Sequence, residues 1–295
     1  MKKIVVFVII AVLTWTCQPS APKDEFESSI AQNQICCDEE EETSIAQFAS
    51  LTKDAGFMNS HELPEKCTKK ITGGENITFK TEDGKDGSGF LFKSNKPSKK
   101  YLVVIHEWWG LNDHIKVEAQ KFYDDLKNKN VNVIAIDLYD GNIATTREEA
   151  GKLMGENKAE RSKAILEGAF AYMGKDAKIA TVGWCFGGAW SLQASLLAKK
   201  QAVGCIIYYG MPEKDKEKLK NLNAEVLGIF ASQEKWINTK VVTQFEADLK
   251  ELKKKNTIKS FDAEHAFANP SNPKYNKEFA AEAYKMSLKF LKKKF

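Results

Sequence analysis

The 295-residue sequence has little of what marks several common classes of protein. Lysine and arginine (44) barely outnumber aspartate and glutamate (40), and the two signs are interleaved, so no basic face for nucleic acid is indicated. No internal repeat is visible, as a solenoid or propeller would require. The apolar run from Ile4 to Leu13 is too short to cross a bilayer as a stable helix. We therefore expect one globular main domain without a nucleic-acid partner.

Cysteine and histidine are also scarce, with six and four residues. Cys36 and Cys37 are adjacent rather than in a C-x-x-C pair, and no histidine pair lies nearby, so the spacing predicts no metal site. The sequence leaves open whether either of them pairs with Cys67. If Cys17 carries a lipid, five cysteines remain. In an oxidising compartment an odd number leaves one free thiol, and Cys185 is the candidate.

The first 17 residues have the layout of an export signal. Lys2 and Lys3 precede the apolar run, and Cys17 comes soon after it, which resembles a bacterial lipoprotein processing site. We expect a periplasmic or cell-envelope protein that is lipid-anchored at Cys17 and touches the membrane only through that anchor. A signal that is simply cleaved and an uncleaved anchor remain open, and both also place the chain outside the cytoplasm.

Residues 18–74 are expected to form a tether and an N-terminal extension. The stretch 18–44 is polar and acid-rich, with too few apolar residues for packing, which predicts a disordered linker. Residues 45–57 favour a short amphipathic helix, and we expect this region to cap the main domain.

Residues 75–295 alternate between strand and helix patterns, which predicts the α/β class. The predicted strands cover 76–81, 87–93, 101–106, 131–137, 179–182, 203–209, 225–231 and 257–261, and from the third strand onwards helical segments separate them. Such a chain forms a mostly parallel, twisted sheet with helices on both faces. Reactive groups in these sheets gather at the carboxyl ends of the strands.

The stretch from Ile179 to Trp190 contains G-W-C-F-G-G between a strand pattern and a helix pattern. In that context the motif predicts a nucleophile elbow, a sharp turn that exposes a reactive atom over the sheet edge. Cys185 is therefore the candidate nucleophile. The alternative is a buried structural cysteine beside a tight turn.

Side chains that follow other strands are the candidate partners. Glu107 follows the third strand, Glu234 the seventh and His265 the eighth. A thiol with an ordinary pKa of about 8.5 needs an imidazole to take its proton, and a carboxylate must orient that imidazole. The predicted triad is Cys185, His265 and Glu234. Asp262 and Glu264 are rival acids, but both lie within three residues of His265, from where its Nδ1 is awkward to reach.

Three ordered motifs, His106–Gly110, Gly183–Gly188 and His265–Pro270, resemble the dienelactone hydrolase family of the α/β-hydrolases. The resemblance implies hydrolysis of a small ester or lactone through a thioester acyl-enzyme, without metal or organic cofactor. It implies that Glu107 contacts the resting thiol and helps control its ionisation. The backbone N–H groups of Phe186 and Trp108 are the expected oxyanion hole. The expected substrate pocket consists of aromatic side chains, namely Trp109, Tyr139, Trp236 and Phe267.

The sequence departs from that family at two positions. Glu234 stands where the family usually has aspartate, and both acids serve in such triads. The best-known members have an arginine near the tyrosine that corresponds to Tyr139, whereas Arg147 is too distant in the sequence to be equated with it. We therefore expect a substrate other than dienelactone. His106 is interpreted as a packed residue rather than a base, and His61 as part of a weakly ordered segment.

The favoured function is an exported, monomeric cysteine hydrolase. One alternative is an inactive surface lipoprotein that uses the same fold as a binding module. A second is redox chemistry at Cys185, for which Cys205 would have to come close in the fold.

Overall fold

The computed structural model describes residues 43–295. The predictions for residues 1–17, for Cys36 and Cys37, and for most of the predicted linker therefore lie outside the described residues. The predicted helix at 45–57 is divided in two, with α1 at Ser44–Ser50 and α2 at Ala55–Ser60. Asp54 separates them because its side chain accepts a hydrogen bond from the Phe57 N–H and caps α2.

Eight strands form one sheet in the order β1-β2-β4-β3-β5-β6-β7-β8. The strands β3 to β8 run parallel, whereas β1 and β2 add an antiparallel edge. Their bounds are β1 Glu75–Lys80, β2 Asp86–Phe92, β3 Lys100–Ile105, β4 Asn132–Asp137, β5 Lys178–Trp184, β6 Ala202–Tyr208, β7 Glu225–Ala231 and β8 Asn256–Phe261. The predicted sheet is confirmed.

Helices cover both faces of this sheet, as the alternating pattern predicts. They are α3 Asp113–Asp125, α4 Arg147–Gly155, α5 Ala159–Met173, α6 Phe186–Leu197, α7 Lys216–Lys220, α8 Thr239–Glu251 and α9 Lys277–Lys294. Helix α6 is apolar around most of its circumference because it lies against β3, β5 and β6 and is buried along most of its length. Among the described residues, no helix is long and apolar enough to cross a membrane.

The topology brings the carboxyl ends of β3, β5, β7 and β8 to one edge of the sheet. Glu107, Cys185, Glu234 and His265 each come directly or within four residues after one of these strands. The N-terminal helices α1 and α2 lie in the same compact unit as the sheet.

Candidate active site

Cys185 lies on a strained turn between β5 and α6. Its φ of 53° and ψ of −118° are unusual for a residue with a side chain, and its N–H donates to the Tyr208 carbonyl at 3.0 Å. Glycine is required around it: a Cβ on Gly183 would overlap the Gly187 carbonyl, and one on Gly187 would overlap that of Ile105. The sequence thus folds into the strand-turn-helix context in which a G-x-C-x-G-G motif is informative.

Glu234 and His265 meet beside this turn. Glu234 Oε1 lies 2.9 Å from His265 Nδ1, although the ring N–H is not aligned well enough with the oxygen for a hydrogen bond. Both side chains are buried. The rival acids point elsewhere: Asp262 accepts from Gln233 Nε2 at 3.0 Å, and Glu264 pairs with Lys274 at 3.2 Å. Of the three acids considered, Glu234 is the one that the fold brings to the imidazole.

The electrostatics of this group favour a basic imidazole beside a thiol. Burial lowers the pKa of His265, but the negative charges of Glu234 and Cys185 outweigh it and raise that pKa well above its usual range. Burial raises the pKa of the Cys185 thiol, whereas His265 and the Phe186 N–H act in the opposite direction. The site therefore combines an imidazole that holds a proton tightly with a thiol whose ionisation is disfavoured by burial and favoured by that imidazole.

Glu107 is a buried carboxyl group close to the same sulfur. Burial raises its pKa to about 7, despite the opposing effects of His265, of Asn269 and of Tyr209. Asn269 Nδ2 donates to Oε2 at 2.6 Å and the Tyr209 hydroxyl to Oε1 at 3.4 Å. The negative charge of ionised Glu107 raises the pKa of Cys185. Glu107 thus acts on the thiol through its charge, while its hydrogen bonds go to other side chains.

Of the two expected backbone donors, Phe186 follows Cys185 directly, and Trp108 lies on the loop after β3. The Phe186 N–H belongs to the first residue of α6, where a helix provides no acceptor, and it interacts with the sulfur. Trp108 follows β3, and its fully buried ring packs on His61 with the ring centroids 4.3 Å apart. The close packing of Gly187 against the carbonyls of Ile105 and His106 holds the two loops together.

His61 is the residue at this site that the sequence analysis missed. Its Nε2 lies 3.8 Å from Cys185 Sγ, and its ring centroid lies 5.0 Å from that of His265. Its Nδ1 lies 2.8 Å from the Phe57 carbonyl, to which only a ring N–H can donate. Burial and the nearby charge of His265 lower the pKa of His61 to about 3, so this imidazole is neutral at physiological pH.

The segment that carries His61 covers the nucleophile. The fully buried Phe57 ring packs edge-on against Trp108 and Trp236, at centroid distances of 6.1 and 5.3 Å. The Arg147 guanidinium donates to the His61 carbonyl at 2.7 Å and so fastens the end of α2. With this cover in place, only 2% of Cys185 is exposed.

The predicted pocket aromatics lie in different surroundings. Trp109 lines a cavity of about 160 Å³ together with Glu107, Trp184 and residues 65–69. Tyr139 has a buried hydroxyl without a hydrogen-bond partner among the described residues. Burial raises the pKa of this hydroxyl well above its usual range, and the nearby charge of Cys185 raises it further. Trp236 packs edge-on against Phe57, which belongs to the segment that covers Cys185. Phe267 does not face the cavity, because its ring is buried among Tyr209, Phe261 and Phe279 behind the His265 loop.

Two other sequence interpretations concern residues away from the nucleophile. His106 is fully buried; its Nδ1 donates to the Glu107 carbonyl at 2.6 Å and its Nε2 accepts from the Leu138 N–H at 3.1 Å, so it is a packed residue that links two loops. Cys205 pairs with Thr181 in the sheet register. Thr181 precedes Cys185 by four residues, which is about 13 Å along a strand. Cys205 is therefore no resolving partner for Cys185.

The fold agrees with the comparisons to known proteins. A Saccharolobus solfataricus protein described as a candidate carboxymethylenebutenolidase is 26% identical over 261 residues, which cover 74% of this chain and 98% of that protein. The crystal structure of a candidate dienelactone hydrolase from Klebsiella pneumoniae superposes with a TM-score of 0.63 at 18% identity, over 74% of this chain and 98% of that one.

A dienelactone hydrolase-like phosphotriesterase, P91, from metagenomic libraries has the same TM-score of 0.63 at 17% identity, over 76% of this chain and all of that one. At such identities these two structures establish the α/β-hydrolase fold alone. The sequence profile of the dienelactone hydrolase family, however, matches residues 88–295, which is more than half of the chain. The chain therefore belongs to the dienelactone hydrolase family.

Proposed function

We propose that this hydrolase cleaves a small carboxylic ester or lactone through a thioester formed on Cys185. One observation carries the proposal: the thiol lies on a strained elbow beside His265, and the imidazole is paired through Nδ1 with the buried Glu234. The carboxylate favours the tautomer whose Nε2 is free to accept a proton.

The reaction follows from this arrangement. His265 Nε2 takes the proton of the Cys185 thiol, and the thiolate adds to the carbonyl carbon of the substrate. The N–H groups of Phe186 and Trp108 stabilise the negative oxygen of the tetrahedral intermediate. When the carbon–oxygen bond to the alcohol breaks, His265 gives its proton to the departing oxygen. A water molecule, deprotonated by the same imidazole, then hydrolyses the thioester and releases the acid.

Glu107 would control how readily the thiol ionises. A carboxyl group with a pKa of about 7 is part neutral and part charged near neutral pH. In its charged form it disfavours the thiolate of Cys185. The nucleophile would therefore remain a protected thiol until the substrate or a proton changes the charge beside it.

The size of the cavity beside Glu107 favours a small substrate. It has a volume of about 160 Å³ and is lined by apolar residues such as Trp109 and Trp184 and by charged ones such as Lys66 and Lys69, whereas Cys185 lies behind Glu107 and does not line it. Arg147 binds the His61 carbonyl instead of facing this cavity, so it is not the carboxylate-binding arginine of the best-known relatives. The proposed substrate is therefore an ester or lactone other than dienelactone.

The location of the protein is part of the same proposal. An export signal at residues 1–17, with a lipid on Cys17, would place a monomeric enzyme at the cell envelope, held by the tether that begins at residue 18. Residues 75–295 would be the catalytic domain, and the helices within residues 18–74 its cover.

The activity is tested by hydrolysis of p-nitrophenyl acetate and of a small lactone by the purified full chain, in buffer that contains a chelator. We expect turnover, and a loss of at least about a thousandfold in kcat/KM for Cys185→Ala, as for removal of a nucleophile. A Cys205→Ser variant is the matched control thiol and should retain the rate. Absence of hydrolysis would favour an inactive binding module, and equal rates of hydrolysis for Cys185→Ala and wild type would reject Cys185 as the nucleophile.

A further inference from the structure

Three side chains from distant parts of the chain converge at the elbow. His61 comes from the end of α2, Cys185 from the turn after β5, and His265 from the loop after β8. Their ligand atoms all lie within 4.8 Å of one another, and all three side chains are buried. Zinc bonds of about 2.3 Å to sulfur and about 2.0 Å to nitrogen place ligand atoms roughly 3.3–3.6 Å apart. Cys185 Sγ and His61 Nε2, at 3.8 Å, are close to that spacing.

The two imidazoles are oriented as metal ligands usually are. A metal-binding histidine commonly directs its other ring nitrogen at a carbonyl or carboxylate. The Phe57 carbonyl takes the Nδ1–H of His61, which leaves the lone pair on the Nε2 that faces the sulfur. Glu234 lies 2.9 Å from Nδ1 of His265. The Nε2 of His265 is buried and has no hydrogen-bond partner among the described residues. Both outer partners of a Cys-His-His site are thus present.

The proposed hydrolysis has no need of His61. A Cys-His-acid triad uses one imidazole, and His265 with Glu234 already supplies it. A second buried imidazole on the sulfur calls for another explanation, as does the Arg147 contact that holds its backbone in place. The donor set of one thiolate and two neutral imidazoles suits Zn²⁺, and the buried Glu234 carboxylate offsets the remaining positive charge.

We propose that His61, Cys185 and His265 form a three-ligand site for Zn²⁺, and that the bound ion blocks the nucleophile. On binding, the thiol proton and any second proton on His265 pass to solvent, the sulfur and both Nε2 atoms bond to the ion, and no electron is transferred. Because the same sulfur cannot also attack an ester, metal and substrate exclude one another. Metal binding is independent of the proposed activity; only the inhibition rests on it.

The binding test uses the full chain after treatment with a chelator and its removal. Titration with Co²⁺ should give a thiolate-to-cobalt charge-transfer band that saturates at a single ion per chain, and Zn²⁺ should displace it. The band should vanish in Cys185→Ser and persist in Cys205→Ser, the matched control for the other buried thiol. His61→Gln, which keeps a side chain of similar length, should weaken binding at least about tenfold.

Two further readouts do not depend on whether a variant folds. X-ray absorption of the zinc-loaded wild type should show one sulfur at about 2.3 Å and two imidazoles. Zn²⁺ should inhibit ester hydrolysis by the wild-type protein, and a chelator should reverse the inhibition. A missing band, a band that survives in Cys185→Ser, or a zinc shell without sulfur overturns the site. An inactive protein that still gives the band overturns the proposed function and leaves the metal site standing.

Discussion

Glu234 Oε1 lies 2.9 Å from His265 Nδ1, and these two residues come from different strand ends, after β7 and after β8. No hydrogen-bond donor reaches the Glu234 carboxylate within the described part of the chain. The negative charge of Glu234 therefore acts mainly on the imidazole. It is the largest of the effects that raise the pKa of His265 against the opposing effect of burial.

Replacing Glu234 by glutamine should lower kcat by about tenfold or more, because the variant loses the charge that makes His265 basic and orients its ring. The matched control is Asp262→Asn, since Asp262 is exposed and bonds to Gln233 instead. Steady-state hydrolysis of p-nitrophenyl acetate, with circular dichroism to verify folding, measures both. A larger loss of kcat in Asp262→Asn than in Glu234→Gln would show that Glu234 is not the acid that orients His265.

The fold and much of the site could be predicted because the pattern that specifies them is local. Buried strands such as β4, whose six residues are all buried, contain a continuous apolar run, here the four residues 133–136. The parallel arrangement then brings strand ends together, so the elbow motif at Cys185 and the positions of Glu234 and His265 after strands were enough to propose them as partners.

His61 could not be found in this way, since no strand precedes it. Its position depends on how α2 docks, through the contacts of Phe57 with distant aromatic rings and of Arg147 with the His61 carbonyl. Such tertiary contacts have no sequence period. The available signal was weak: a histidine four residues after a phenylalanine, at the end of a helix. Phe267 was misplaced because an aromatic beside a catalytic loop serves equally well as core.

Glu107→Gln should make Cys185 ionise more easily, because it removes a negative charge that raises the pKa of the thiol. We expect the midpoint of the pH profile for alkylation by iodoacetamide to fall by about half to one pH unit. Alkylation of Cys185 is followed by peptide mass spectrometry in the presence of a chelator. Glu264→Gln removes an exposed acid near His265 and should leave the midpoint unchanged. An unchanged or higher midpoint in Glu107→Gln would contradict the role given to this carboxyl group.

Glu107 should also make stability depend on pH. Its pKa is raised from 4.5 to about 7 on folding, so between these values the folded state retains a proton that the unfolded state has lost. Its contribution therefore favours folding at low pH, is lost progressively as pH rises through about 7, and amounts to on the order of 3 kcal/mol.

Glu107→Gln lacks this proton and can keep an acceptor for Asn269. Its stability relative to wild type should accordingly be greater at about pH 8 than at about pH 5, as measured by urea unfolding. If the stability difference between variant and wild type were the same at both pH values, the pKa of the Glu107 carboxyl group would not be raised on folding.

Phe57→Ala should loosen the cover over the nucleophile. Removing a fully buried ring from contacts with Phe48, Trp108 and Trp236 costs about 3–5 kcal/mol in a core, and here the loss falls on a short peripheral segment. Hydrogen exchange in residues 44–62 should increase, and alkylation of Cys185 should accelerate. Leu63→Ala, at a side chain that is 52% exposed, should change neither. Faster exchange without faster alkylation would mean that the segment does not limit access.

The most direct test of the proposed mechanism is the covalent intermediate. Wild-type protein mixed with p-nitrophenyl acetate in chelator and quenched in acid within milliseconds should carry one acetyl group, and peptide mapping should assign it to Cys185. The adduct should be absent in Cys185→Ala. Turnover without an adduct at Cys185, or an acetyl group on another residue whose replacement abolishes turnover, would contradict the assignment of this thiol as the nucleophile.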